Sequence, residues 1–396
     1  MKEIRIGIAT VCLLFAALTA CAQRKVIGEV RTILKNGKNV ERAEELLKGL
    51  LKDSANLQNK RIYQLWLLSV HKQYEQANER MYLKQRQDTA AFFGLARRMF
   101  EVAERLDSLD MTPNRKGRVD LDYRKDNAMW LSVLRPNLFN GGTYFVRKQD
   151  YQKAFEYFEQ YIDCARQPLF TGYALDSTDQ RMPEAAYWAT FCGYKLQSPL
   201  QTLRYRHVAL RDTALMEYTL QYMAEARRWL KDDSLYMETL SEGFRRYPLS
   251  PYFFPRLMDY HNQRGDYERA LCVVDSALSV CDSCDLYIYA KATTLFNLKR
   301  YDESIYLSDA LIAHDAKMAD AYYNAGSAYL NKALALDPLR DKKQLRKLYQ
   351  KARSYMETYR QLAPGKQEKW GPVLYRVYLN LNMEKQFEEI DKILKK

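Results

Sequence analysis

The stretches "GDYERALCVVDSA" (Gly265–Ala277) and "KRYDESIYLSDAL" (Lys299–Leu311) place a tyrosine, an acid, a small residue and an aliphatic in the same order, 34 residues apart. A chain repeats itself at a fixed interval when one small structural unit is stacked many times. Composition agrees. The 396 residues are 47% hydrophobic, with 31 tyrosines against only 15 glycines and 11 prolines. A chain so poor in breakers can run helix after helix. Its formal charge of +13 gives a surface that attracts anions. Lysines and arginines nevertheless alternate with acids almost everywhere, as on solvated helices. No basic block interleaved with aromatics and no nucleic-acid reading module is spelled, which argues against nucleic acid as a partner.

The phrase extends in both directions. Phe254, Leu257, Gly265, Tyr267, Ala270 and Ala277 form one unit; Ala292, Tyr301, Ser304 and Leu311 mark the next; Tyr322, Ala325, Gly326 and Tyr329 follow another 34 residues on. An alanine due at 338 is missing, and the pattern resumes at Ala352, Pro364 and Trp370 after an insertion of fourteen residues. Upstream, Gly142, Phe145, Tyr151, Ala154 and Phe158 make a further unit, with two degenerate ones between it and Ala270. This period and these offsets resemble the tetratricopeptide repeat, each unit of which is two antiparallel helices joined by a tight turn. The resemblance implies an all-α fold, an α-solenoid of stacked helix hairpins in a right-handed superhelix.

The expected organisation is a leader over 1–22, TPR-like N-terminal helical hairpins over 23–130, and the repeat array over 131–396, with insertions near 166–184 and 331–347. The first insertion reads as a long polar connection carrying Phe170 and Tyr173, the second as the basic "LDPLRDKKQLRK".

By the same resemblance, fixed positions on each first helix line a concave groove. Here they fall on Tyr252, Asp259, Asn262, Gln263, Tyr289, Thr293, Asn297, Tyr323, Ser327 and Asn331, and Asn324 matches an amide that grips a peptide in some relatives. The full lysine–asparagine–arginine carboxylate clamp is not found. Tyrosine with asparagine makes an adaptable surface for peptide or glycan.

The chain opens with "MKEIRIGIATVCLLFAALTACAQ", two early cations followed by an apolar run from Ile6 to Ala20. That run is too short for a comfortable membrane span and reads as an export signal. Leu18-Thr19-Ala20-Cys21 resembles the bacterial lipobox, which implies lipid on Cys21 and membrane anchoring; Ala20-Cys21-Ala22 is also an acceptable cleavage site, leaving Gln23 first. Both readings send the mature chain to the periplasm or outer membrane of a Gram-negative-type bacterium, or into the medium.

Chemistry is sparsely signalled. Cys281-Asp-Ser-Cys284 spells C-x-x-C, but no strand precedes it and it falls in a turn between repeats. A local disulfide or two spectator thiols fit better than catalysis. His71, His207, His261 and His314 are scattered, and no metalloprotease, P-loop, hydrolase or dinucleotide motif appears. The expectation is therefore no enzyme, no cofactor and no metal. The leading reading is a cell-envelope scaffold or assembly adaptor that binds a protein or peptide. A glycan-binding outer-membrane lipoprotein is the alternative, and a thiol–disulfide protein a minor one. The lipobox reading expects an intact mass for the mature protein that begins at acylated Cys21. A mass beginning at unmodified Gln23 would remove the anchor.

Overall fold

The computed structural model describes residues 23–114 and 116–395, so Cys21 and the apolar leader lie outside the described residues. Every regular element among those described is a helix, and the helices stack as antiparallel hairpins, an α-solenoid as the repeat requires. The described residues form two compact units, one ending at Asp233 and the other beginning at Ser234. No break falls at residue 130, because one helix runs from 124 to 134 across that point.

In the first unit, α1 (23–36), α2 (Val40–Leu50), α3 (Lys60–Tyr82) and α4 (Thr89–Asp110) form the N-terminal stack. They continue into α5 (Arg124–Leu134), α6 (Pro136–Arg147) and α7 (Tyr151–Asp163). A short α8 (Leu175–Thr178) leads to α9 (Met182–Lys195), the broken pair α10 (Pro199–Arg204) and α11 (Arg206–Ala209), and α12 (Met216–Trp229). The second unit holds α13 (Asp233–Arg246), α14 (Phe253–Gln263), α15 (Tyr267–Val280), α16 (Asp285–Asn297) and α17 (Tyr301–His314). It ends with α18 (Ala319–Leu334), α19 (Lys342–Leu362), α20 (Gln367–Asn380) and α21 (Glu384–Leu394). From α14 onward each helix packs on the next, and the first helices α16, α18 and α20 also lie side by side.

The small residues explain how closely the helices approach. Ala154, Ala270, Ala277, Ala292, Ala325 and Ala352 are wholly buried. At Gly193 there is no room even for a methyl, since a Cβ there would lie 2.4 Å from the backbone nitrogen of Thr202 on α10. At Gly142 it would lie 2.6 Å from the Phe158 ring of the partner helix. A larger side chain at such a point overpacks the seam by about 1 to 3 kcal/mol.

One form of hairpin turn recurs along the chain. One residue adopts the left-handed conformation: Lys84 (φ 54°), Gln149 (60°), Gln197 (52°), Gly265 (68°) and Lys299 (62°). The next amide then reaches back five residues, as Asp150 N–H does to Phe145 O and Arg300 N–H to Leu295 O. This closes the helix C-terminus and reverses the chain in a Schellman motif.

The two insertions are not loose. Between α7 and α9, Leu169 and Phe170 are buried, with the Phe170 ring centred 6.1 Å from that of Phe100. The expected polar connection is thus an apolar strap. Its end is pinned by Asp179, which accepts from Arg135 Nη1 at 2.6 Å and from the Tyr161 hydroxyl at 2.7 Å, while the Arg135 guanidinium lies 3.8 Å above the Tyr161 ring. The second insertion mostly lengthens helices. Against the 13- and 14-residue helices α16 and α17, α18 has 16 residues and α19 has 21, with a longer connection over 335–341. Buried Ala352 and Trp370 show that the register resumes.

The turn geometry is testable by exchange. Lys299→Gly relieves a left-handed lysine and should raise the unfolding free energy of the second unit by about 0.5 to 1 kcal/mol, whereas Gly265→Ala should lower it by about 1 kcal/mol. Urea midpoints that move the other way would refute the turn reading.

Candidate functional site

The second unit brings part of the expected groove together. On α16, Tyr289, Thr293 and Asn297 recur every four residues and so share a face; on α18, Tyr323, Ser327 and Asn331 do the same, displaced by 34 residues. The two helices pack side by side, so the two tyrosine–hydroxyl–asparagine stripes are neighbours. Thr293 Oγ1 and Ser327 Oγ occupy matching buried places; the Thr293 side chain hydrogen-bonds with the Tyr289 hydroxyl one turn away, and Ser327 Oγ has no hydrogen-bond partner. Asn331 is held by its own helix, its Nδ2 donating to Ser327 O at 2.8 Å.

Residues the sequence did not single out complete this face. Lys369 on α20 lies 5.2 Å above the Tyr323 ring and 3.3 Å from Asp320, one turn before Tyr323. Tyr359 on α19 backs the Tyr323 ring at 5.2 Å. Burial pushes the Tyr289 hydroxyl above the usual phenol range, and the Asp320 charge adds to the shift. At Lys369 burial works against the ammonium, but Asp320 more than offsets it and the pKa is raised. The face thus offers two tyrosines, two small hydroxyls of which the Ser327 one is unpaired, and one ion pair.

Other expected residues lie elsewhere. Asn324 is buried, its Nδ2 donating to Ser304 Oγ and Ser308 Oγ at 3.3 and 3.2 Å in the α17–α18 seam, so its amide is already engaged and not presented to a peptide. On α14 and the Tyr252 that precedes it the stripe is different. Tyr252 carries the Arg256 guanidinium 3.6 Å from its ring centre, Asp259 and Gln263 are exposed, and Asn262 is half-buried. No tyrosine–hydroxyl–asparagine set recurs there.

Among the described residues no cysteine is bridged. Cys281 and Cys284 are free thiols, contrary to the candidate disulfide. Both side chains pack against the apolar cluster around Val274 and Tyr287 instead of closing on each other. Cys164 and Cys192 are buried, and burial pushes each thiol up to about 12. No group of three His, Cys, Asp or Glu residues among those described is placed to hold a metal ion.

In the first unit the most perturbed carboxylate is Glu104, which burial pushes up to about 7 although Gln160 Nε2 donates to it at 2.8 Å. Its folded pKa lies above the ordinary 4.5, so its contribution to stability is complete below about pH 4.5 and is lost as pH rises through about 7. Glu104→Gln should therefore stabilise the protein at pH 8 by about 1 to 2 kcal/mol and do little at pH 4.5. Equal effects at the two pH values in urea titrations would show that this carboxylate is not strained.

No known family model matches the chain, and no curated protein matches it in sequence. Solved structures with a related trace include the C-terminal part of a TPR repeat-containing protein from Cytophaga hutchinsonii. It is 13% identical with a TM-score of 0.43, over 64% of this chain and 93% of that one. Yeast Tom70 is 12% identical with a TM-score of 0.35, over 94% of this chain and 89% of that one. The TPR2AB domain of yeast Sti1, solved in a complex with pHSP90, is 12% identical with a TM-score of 0.27, over 76% of this chain and 98% of that one. The architecture rests on the chain's own hairpins.

Proposed function

We propose that this protein is a non-enzymatic interaction scaffold of the bacterial cell envelope, tethered by lipid at Cys21, that holds an extended segment of a protein partner across α16 and α18. The observation that carries this reading is the duplicated stripe: Tyr289, Thr293 and Asn297 beside Tyr323, Ser327 and Asn331, with a buried Ser327 hydroxyl that has no hydrogen-bond partner. Leaving a buried polar group unpaired costs about 1 to 3 kcal/mol, a cost that a ligand's own polar groups can offset. Packed helices lie about 8 to 10 Å apart, the span of roughly three residues of extended peptide. Two matching stripes therefore suit a polymer whose backbone presents the same groups at regular intervals. The tyrosine rings add large contact area at low entropic cost. The envelope address is supported by the leader and the Leu18–Cys21 lipobox.

Capture of partners from envelope extract, run beside a glycan array, tests the reading. The wild-type chain should retain a protein whose affinity falls about ten- to a hundredfold in Tyr289→Ala/Tyr323→Ala, corresponding to about 1.4 to 2.7 kcal/mol. Thr293→Val/Ser327→Ala should also weaken it. Capture undiminished in both variants would place the partner on another surface. Binding confined to the array would transfer the face to glycans.

A further inference from the structure

The fourteen-residue insertion does more than lengthen two helices. From Lys342 to Met356, α19 contains no acid. On a helical projection Lys342, Arg346, Lys343, Lys347 and Lys351 fall within about 180° of arc, and all five are exposed. Leu345, Tyr349, Ala352 and Met356 fill the opposite, buried side. Other exposed arginines pair with an acid one turn away, as in Arg300–Glu303 and Arg245–Glu242. Among the described residues none of these five cations has an ion-pair partner. The exposed face of this segment thus carries charge of a single sign. An apolar tip adjoins it. Leu339, in the turn that leads into α19, is 81% exposed, and Leu334 at the end of α18 is 49% exposed.

We propose that this insertion is a membrane-docking surface: the cationic half of α19 lies against anionic lipid headgroups while Leu339 enters the boundary between headgroups and acyl chains. Basic residues near a bilayer are drawn to its negative surface potential, and adjacent apolar side chains add insertion. Charge alone would fit any polyanion. The exposed leucines favour a lipid surface, because a soluble polyanion gives them nothing to enter. The surface is separate from the tyrosine stripes and does not depend on what they bind.

The experiment uses the chain from Gln23 onward, which contains every helix described above and lacks the lipidation cysteine. Vesicles of phosphatidylcholine with roughly one-third phosphatidylglycerol are compared with phosphatidylcholine alone by sedimentation. Binding should require the anionic lipid and weaken with salt. Changing Lys342, Lys343, Arg346 and Lys347 to Gln should lower the partition coefficient at least a hundredfold, at about fivefold per charge. Leu339→Glu should lower it several-fold, while Lys385→Glu/Lys392→Glu on α21 should not match the loss from the α19 variant. Unchanged helical circular dichroism checks that the exposed substitutions leave the fold intact. Equal binding to neutral vesicles, or an equal loss from the α21 reversal, would overturn the proposal. So would inorganic polyphosphate binding as tightly while Leu339→Glu leaves vesicle binding intact, since that outcome makes the face a soluble-polyanion site.

Discussion

A pair of short helices cannot hide its own apolar stripe, and the rest of this structure follows from that deficit. Each hairpin must lend its uncovered side to the next, and the loan works only where backbones come close. Ala270, Ala277, Ala292 and Ala352 are small because a neighbour occupies the space above them. Gly142 and Gly193 have no side chain because an aromatic ring and a crossing backbone already sit there. The tight, left-handed turn at positions such as Gln149 and Lys299 is a consequence of the same demand, since a loose connection would let the second helix swing away from its seam.

Much of this was legible. The interval between Ala270 and Ser304 named the hairpin, and Ala352 with Trp370 showed that the array resumes after its interruption. What escaped was whatever depends on direction in space. Lys299 and Gln149 carry no mark of a left-handed conformation, because side-chain identity at a forced turn is secondary to the backbone hydrogen bonds that close it. Phe170 was visible, but not that it folds inward against Phe100; polar neighbours on both sides disguised an apolar strap. Asn324 has the residue type of a ligand-gripping amide, yet two serines one helix away had already claimed it, and those lie 20 and 16 residues distant in sequence.

The candidate face shows the same division. Its tyrosines and hydroxyls follow the repeat and could be written down position by position. Lys369 and Asp320 could not, because they meet across two hairpins and are brought to Tyr323 by packing. Repetition supplies the part of a binding surface that suits a regular polymer, and departures from repetition supply the part that distinguishes one polymer from another.

The unequal helix lengths have one more consequence. An array of near-copies invites slippage, in which a segment pairs one unit too early or too late while satisfying almost the same contacts. Here a shifted α19 of 21 residues would face partners of 13 or 14 and leave about two turns stranded in water. The broken α10–α11 element makes a comparable mismatch in the other unit. Irregularity in this chain works as an index tab, telling each hairpin which neighbour is its own.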